Sequence, residues 1–450
     1  MTWNAQQQQR KFPRRGLLQA GAFAVTSFAI RNRAFAAGFD WQRYKGQRLE
    51  IFLSKSPRAD LLLGRHHEFE ELTGIKVAGE QVPEQQFRQK FTIEFASGRP
   101  SFDVVNVAPH VQKRMLGKTK WLLDLRPLLA DAEQTSPDFD IADFFGPAMQ
   151  FATHPDGRLD MIMHNADYNI LFWNKELFAA KGVAYPRSLA EMAEAAKALH
   201  DPKRGIAGYV GRGIKNANTA TWSALLLGWG RYGIDPDLTV HTTSPEAVES
   251  AQLYQTLMRD YAPPGVIGFN WNESQTTFAQ GRAAMWLDAT GFAQPLEDPS
   301  KSRVVGKVGY GVVPPGPKAH YSGLSGDALA IPAGSTRKGA AWLYIQWACG
   351  KDMMARQLST GAGAPPRQSS YVRTKADPKS TVPAEWLDAV RESSAIARPH
   401  HPQIVAVTEY RDIFGIALSN MIAGADAASE LAHATKEFMP IFERSEKDSP

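Results

Sequence analysis

One cysteine and eleven histidines in 450 residues leave few places for nucleophilic or metal chemistry. His66-His67-Glu68 lacks the i,i+4 histidine pair that would set two ligands on one helix face, and His400-His401 stands between prolines. Both pairs read as solvated or capping residues rather than zinc ligands. Cys349 ends the apolar helical run Trp342–Cys349, where a thiol behaves as a small buried hydrophobe. A lone cysteine also allows no intrachain disulfide. Gly309-Tyr-Gly311 opens like a dinucleotide fingerprint, but Pro314 stands where the third glycine belongs. No glycine-rich loop ends in Lys-Ser/Thr, and Ser325 lacks the Gly-x-Ser-x-Gly spacing of a nucleophile elbow. Only carboxylate pairs stay open, because their catalytic separation of about 5–10 Å is a tertiary property. The residues therefore point to a protein without catalytic group, cofactor or metal, with an enzyme working through an Asp/Glu pair as the alternative.

Residues suited to binding are easier to find. Asn106 and His110 follow the buried strand Phe102–Val107, which puts them at its carboxyl edge. Arg212 and Lys215 share a glycine-flanked loop ahead of Trp222. Five of the eleven tryptophans fall between positions 173 and 286. Trp173 and Trp286 sit in strand patterns and belong to a core, whereas Trp222 and Trp271, beside polar neighbours, are the candidate stacking platforms. Asp327 and Arg367 lie next to Gly326 and Pro366, and an ion pair between them could close a cleft.

These groups must be carried by alternating strands and helices. The patterns predict strands at 48–53, 75–77 and 102–107 and helices at 60–73 and 87–97, with Gly74 and Gly98 as stops. That rhythm implies a parallel sheet with helices on both faces and a crevice beyond the strand ends. A second series holds a strand at 169–173 and a helix opened by the capping box Ser188-Leu-Ala-Glu191. A further helix starts at Ser244-Pro245, and a strand covers 281–286.

Apolar residues at 43% and charged residues at 22% match a soluble globular chain, which excludes wholesale disorder. The formal charge of +5 is misleading. Six of the 51 basic residues lie in positions 1–36, which hold no acidic residue; the remainder has 45 basic against 46 acidic side chains. No case for nucleic-acid binding survives that division. Residues 1–36 have the layout of an export signal: a basic start, an uncharged run from Leu17 to Ile30, and Ala34-Phe35-Ala36 as cleavage site. Arg14-Arg15 resembles a twin-arginine signal, although Pro13 stands where Ser or Thr is usual. With no cysteine near the cleavage site, lipid anchoring is not expected. The mature chain is expected free in the periplasm.

Tyr168-Asn-Ile-Leu-Phe-Trp-Asn174 with Pro186-Arg-Ser188, Phe278-Ala-Gln-Gly281, Leu329-Ala-Ile-Pro332 and Gly363-Ala-Pro365-Pro-Arg367 resembles, in order, the family 1 extracellular solute-binding proteins of ABC sugar importers. The likeness covers essentially all of 48–435. Ala262-Pro-Pro-Gly265, Asn272-Glu273, Met285-Trp-Leu-Asp288 and Gly306-Lys-Val-Gly309-Tyr310 are similar to the sorbitol and mannitol branch. Two stretches depart from it: Met163-His164, where many relatives have Pro, and Tyr321–Asp327, which replaces a Trp-rich segment.

The resemblance implies an α/β, two-lobed periplasmic binding protein fold of type II. Each lobe would be a mostly parallel sheet flanked by helices, joined by hinge crossings, with 37–166 and 315–364 forming lobe 1 and 167–314 and 365–450 lobe 2. It implies a monomer that captures a sugar or polyol between the lobes and delivers it to membrane permease subunits. It adds Asp167, Tyr168, Asn272, Glu273, Asp288 and Tyr321 to the ligand-binding candidates Asn106, His110, Arg212, Trp222, Trp271, Asp327 and Arg367. A receptor for peptides or anions is a third class.

Overall fold

The computed structural model describes residues 38–378 and 380–448. The expected export signal and cleavage site, in residues 1–36, lie outside them. Among the described residues the strands are β1 (Arg48–Ser54), β2 (Lys76–Val82), β3 (Val104–Val107), β4 (Ile162–Asn174), β5 (Met285–Ala289), β6 (Val308–Val312), β7 (Ser322–Ala330) and β8 (Ala397–Pro399). They run in the order β2-β1-β3-β7-β4-β5, with β6 added to β4 and β8 to β7.

β1 pairs in parallel with β2 and β3, because a helix intervenes between each strand and the next. Beyond β3 the sheet turns antiparallel, through β3–β7, β4–β7, β4–β5 and β4–β6. The expectation of a mostly parallel sheet in each lobe is corrected to a mixed one. β4 is the reason. At 13 residues it is long enough, at about 3.3 Å per residue, to serve two places. Its first half pairs with β7, and its second half lies between β5 and β6.

Two apolar cores follow from this division. One gathers Phe52, Phe69, Phe91, Val104 and Trp342 beneath β1–β3 and extends along β4 to Phe172 and Trp286. The other gathers Trp222, Tyr254, Phe414, Leu418 and Phe438 among helices. This is a two-lobed α/β fold.

Local signals place the helices well. Ser188 Oγ accepts from the Glu191 N–H at 3.0 Å and starts the helix Leu189–Leu199, though the Glu191 carboxylate returns to the N–H of Arg187 rather than Ser188. Pro245 occupies the first turn of Pro245–Asp260 behind the Ser244 cap. The helix expected over 60–73 is broken into Pro57–Leu63 and His66–Thr73, because Ser56 and Pro57 begin a turn earlier and Gly64 stops the first piece. That break leaves Arg58 near the start of a short helix, facing the space between the cores. The strand expected over 281–286 is β5, displaced to start at Met285.

Candidate functional site

Between the two cores opens a cleft of about 1270 Å³. Its walls are strand ends and helix starts. Asn106 at the end of β3 donates to the carbonyls of Val107 and Ala328, both at 3.2 Å, which fixes its amide at the cleft edge. His110, in the first turn of Pro109–Thr119, holds its Nδ1 3.1 Å from the Gly326 carbonyl. Gly326 has φ +150, and a Cβ there would lie 2.3 Å from the Asn165 carbonyl oxygen, so only glycine lets β7 pass β4 this closely.

Asp167 lies in β4 where the strand leaves one sheet for the other. Its carboxylate accepts from Asn165 Nδ2 at 2.7 Å and from the Gly291 N–H at 3.0 Å. Burial pushes this carboxyl up, against the pull of Arg58. Asp327 pairs instead with Arg58. Burial opposes its charge, but Arg58, with His164 and His110, holds the carboxyl below its ordinary value.

The opposite wall is built on Asp288, which is buried in β5. It accepts from Arg212 Nε at 2.9 Å and Nη2 at 2.5 Å, from the Trp286 indole at 3.2 Å and from the Ala289 N–H at 2.8 Å. Two of these bonds aim one guanidinium, and the other two fix the carboxylate that aims it. The Arg212 guanidinium lies 5.6 Å from the Phe292 ring centre, and Phe292 stacks at 5.0 Å and 6° on Trp271. Trp271 is 40% exposed and presents a broad apolar face at the cleft. Lys215 lines the same wall.

Asn106, His110, Asp167, Arg212, Trp271, Asp288 and Asp327 therefore share one cleft. The remaining candidates do not. Trp222 is fully buried, donates to Ser250 Oγ at 3.0 Å and stacks on Phe414, so its polar neighbours satisfy the indole and not a solute. Tyr168 is fully buried among core aromatics, because β4 turns that side away from the cleft. Glu273 closes a capping box with Asn270 and also accepts from Asn272, so this pair serves a helix start. Tyr321 lies under the Arg398 guanidinium at 4.7 Å and outside the cleft lining. Arg367 is fully buried and pairs with Asp143, not with Asp327.

His400 and His401 correct the sequence in the other direction. Expected as solvated or capping residues, they are 5% and 3% exposed and line the cleft. Their rings stand 4.4 Å apart, with His110 6.2 Å from His401. Burial, reinforced by His110, Arg212 and Arg411, pushes His400 down to about 3 and His401 well below its ordinary value, so both are neutral at physiological pH. The Nδ1 atoms of both, Asn169 Oδ1 and Arg58 Nε are buried without a hydrogen-bond partner. Cleft walls carrying unmet donors and acceptors beside an aromatic face are suited to a polar, neutral solute. The one sequence hint for the histidines was their place between prolines, which hold the backbone extended. Among the described residues no group of three or more His, Cys, Asp or Glu is placed to hold a metal ion, and no helix is long and apolar enough to cross a membrane.

The family model for bacterial extracellular solute-binding proteins matches residues 60–355. The chain belongs to that family. The erythritol/L-threitol-binding protein of Mycolicibacterium smegmatis is 27% identical, over 89% of this chain and 87% of its own length. A probable amino-acid ABC transporter periplasmic-binding protein of Sinorhizobium fredii is 26% identical, over 88% and 90%. A crystal structure of an ABC transporter solute-binding protein from Agrobacterium radiobacter K84 in complex with ribitol superposes with a TM-score of 0.79 at 28% identity, covering 88% of this chain and 99% of that one.

Trp271 provides a direct check on the cleft. Trp271→Ala should weaken solute binding by about 1–2 kcal/mol, roughly five- to thirtyfold, as loss of an aromatic anchor does. Because the ring is partly exposed, the thermal midpoint should stay within a few degrees. Titration calorimetry and a melting curve on one preparation read both. Unchanged affinity would remove Trp271 from the site.

Proposed function

We propose that this receptor binds an acyclic polyol in the cleft and presents it, as a monomer, to the permease subunits of an ABC importer. The observation that carries the reading is the charge arrangement. Arg58 with Asp327 and Arg212 with Asp288 neutralise one another inside the walls, so these four groups offer fixed donors and acceptors rather than separate charges. Hydroxyl groups suit such walls, and a carbon chain suits the face of Trp271. The relatives that bind erythritol, threitol and ribitol support the same class.

The lobes divide at 37–166 with 315–364 and 167–314 with 365–450. Asn106, His110, Asp167, Arg212, Trp271, Asp288 and Asp327 form the contact set, joined by His400 and His401. A cleft of 1270 Å³ is larger than the roughly 300–1,000 Å³ of ordinary ligand pockets, so a small polyol meets both walls only when the lobes close. Closure is then the signal the permease reads, and no chemistry is performed on the solute.

A thermal-shift screen over erythritol, ribitol, mannitol, maltose and the common amino acids tests this. A polyol at 100 times its dissociation constant should stabilise the protein by about 2.7 kcal/mol. Stabilisation by amino acids alone would replace the polyol reading. Product formation from an oligosaccharide panel, abolished in Asp167→Asn, would replace the receptor by the carboxylate-pair enzyme.

Export by the twin-arginine route is part of the same proposal. Substituting Lys-Lys for Arg14-Arg15 should strand the precursor in the cytoplasm. An undiminished periplasmic yield on fractionation would assign another route.

A further inference from the structure

A second groove, of about 750 Å³, shares only His401 with the cleft lining. One wall is the helix Pro109–Thr119, through Lys113, Arg114 and Lys118, with the neighbouring loop that carries Asp156 and Arg158. The other wall is the loop of Tyr232 and Ile234, and β8 contributes Arg398. Five cationic side chains line this groove against one carboxylate, Asp156, and that carboxylate already accepts the Arg158 N–H at 2.9 Å.

Three of the cations have acidic neighbours. Arg114 holds Glu446 at 2.7 Å, Lys118 reaches the same carboxylate at 3.7 Å, and Arg158 lies 3.7 Å from Asp160. Lys113 and Arg398 differ from these. Lys113 lies over the Phe151 ring at 5.5 Å and Arg398 over the Tyr321 ring at 4.7 Å, and neither has a carboxylate within ion-pair distance among the described residues. Burial pushes the Lys113 ammonium down to about 8, and the charge of Asp160 offsets only part of that. A half-buried cation without a carboxylate in contact is costly, and a bound anion would relieve that cost.

We propose that this groove binds a small oxyanion, a phosphate- or carboxylate-bearing molecule, between Lys113 and Arg398. The volume falls within the range of small-molecule pockets, which favours a metabolite over a macromolecular surface. The fork of Arg398 suits two oxygens of one group, and the Lys113 ammonium a third. The groove also touches both lobes: Phe151 packs in the first core and Ile234 in the second. An anion held across it ties together two bodies whose relative position sets the width of the cleft. It therefore changes the affinity of the cleft for its solute, and the solute changes the anion's affinity by the same factor. This coupling rests on the polyol reading; the anion site does not.

Calorimetric titration of the whole mature chain with inorganic phosphate, without polyol, tests the site. Phosphate should bind at one site, and Lys113→Met and Arg398→Met should each weaken it tenfold or more. Methionine keeps the packing over Phe151 and Tyr321, and ribitol affinity in phosphate-free buffer should stay within about twofold in both variants. A parallel titration with malonate separates a carboxylate ligand from a phosphate ligand by which binds more tightly. No binding of either anion, or binding that both variants leave unchanged, overturns the site. Ribitol titrations with and without saturating phosphate should differ at least threefold, and equal affinities overturn the coupling. If ribitol fails to bind at all, the polyol reading fails while the phosphate titration still decides the groove.

Discussion

Arg367→Ala should cost about 3–5 kcal/mol of folding stability while leaving the affinity of each folded molecule within about twofold. Arg367 is fully buried, and its guanidinium is used on every side. Nε donates to the Cys349 carbonyl at 2.7 Å, and Nη1 donates to the Asp140 carbonyl at 2.9 Å and to Asp143 at 3.2 Å. Nη2 donates to the Phe139 carbonyl. The plane lies 4.1 Å from the Phe144 ring centre and 5.1 Å from that of Phe139. Truncation would leave three carbonyls without this donor and the Asp143 carboxylate held by Ser369 alone, with its counter-charge gone. It would also untie the end of the segment that brings Ala364 to Asn165, whose side-chain oxygen accepts the Ala364 N–H at 2.8 Å. Lysine should not rescue the loss, since one ammonium cannot replace a planar fork. Urea unfolding with parallel calorimetry reads the two quantities separately. A tenfold fall in affinity with full stability would return Arg367 to the cleft.

The second large effect belongs to Asp288. Asp288→Ala should weaken polyol binding by about 2–3 kcal/mol, thirtyfold to a hundredfold or more, because it frees Arg212 from its aimed position and leaves a guanidinium without its partner. The Trp286 indole and the Ala289 N–H lose their acceptor in the same step, so stability should fall as well. Asp288→Asn separates the two effects: it keeps the volume and one acceptor but removes the charge that orients Arg212. Its affinity should lie between those of wild type and the alanine variant, with most of the stability kept. If both variants bind as wild type does, the pair is purely structural and the solute uses other groups.

The contrast between Trp222 and Trp271 shows where reading the chain reaches its limit. Each stands near polar residues, and each was a candidate platform. Trp222 meets Ser250 and Phe414, which lie 28 and 192 positions away, and those partners make it core. Nothing within a helical turn of Trp222 carries that information. The expected pair of Asp327 with Arg367 fails for the same reason, since each found its counter-charge in a distant segment, Arg58 and Asp143. Glu273, a ligand candidate through its motif, is claimed instead by a local interaction, since Asn270 and Glu273 have the spacing of a capping box completed within one turn.

Local signals, completed by neighbours in the chain, were sufficient for the helix start at Ser188, for Pro245 in a first turn, for β1 and for the burial of Cys349. The family's ordered motifs carried the two-lobed fold with them. Tertiary structure alone decided which carboxylate meets which arginine, that β4 serves two sheets, and that His400 and His401 are buried in the cleft wall. Helix caps and periodicity depend on neighbours within about four positions, whereas burial and ion pairing depend on whatever segment the fold brings alongside, at any separation.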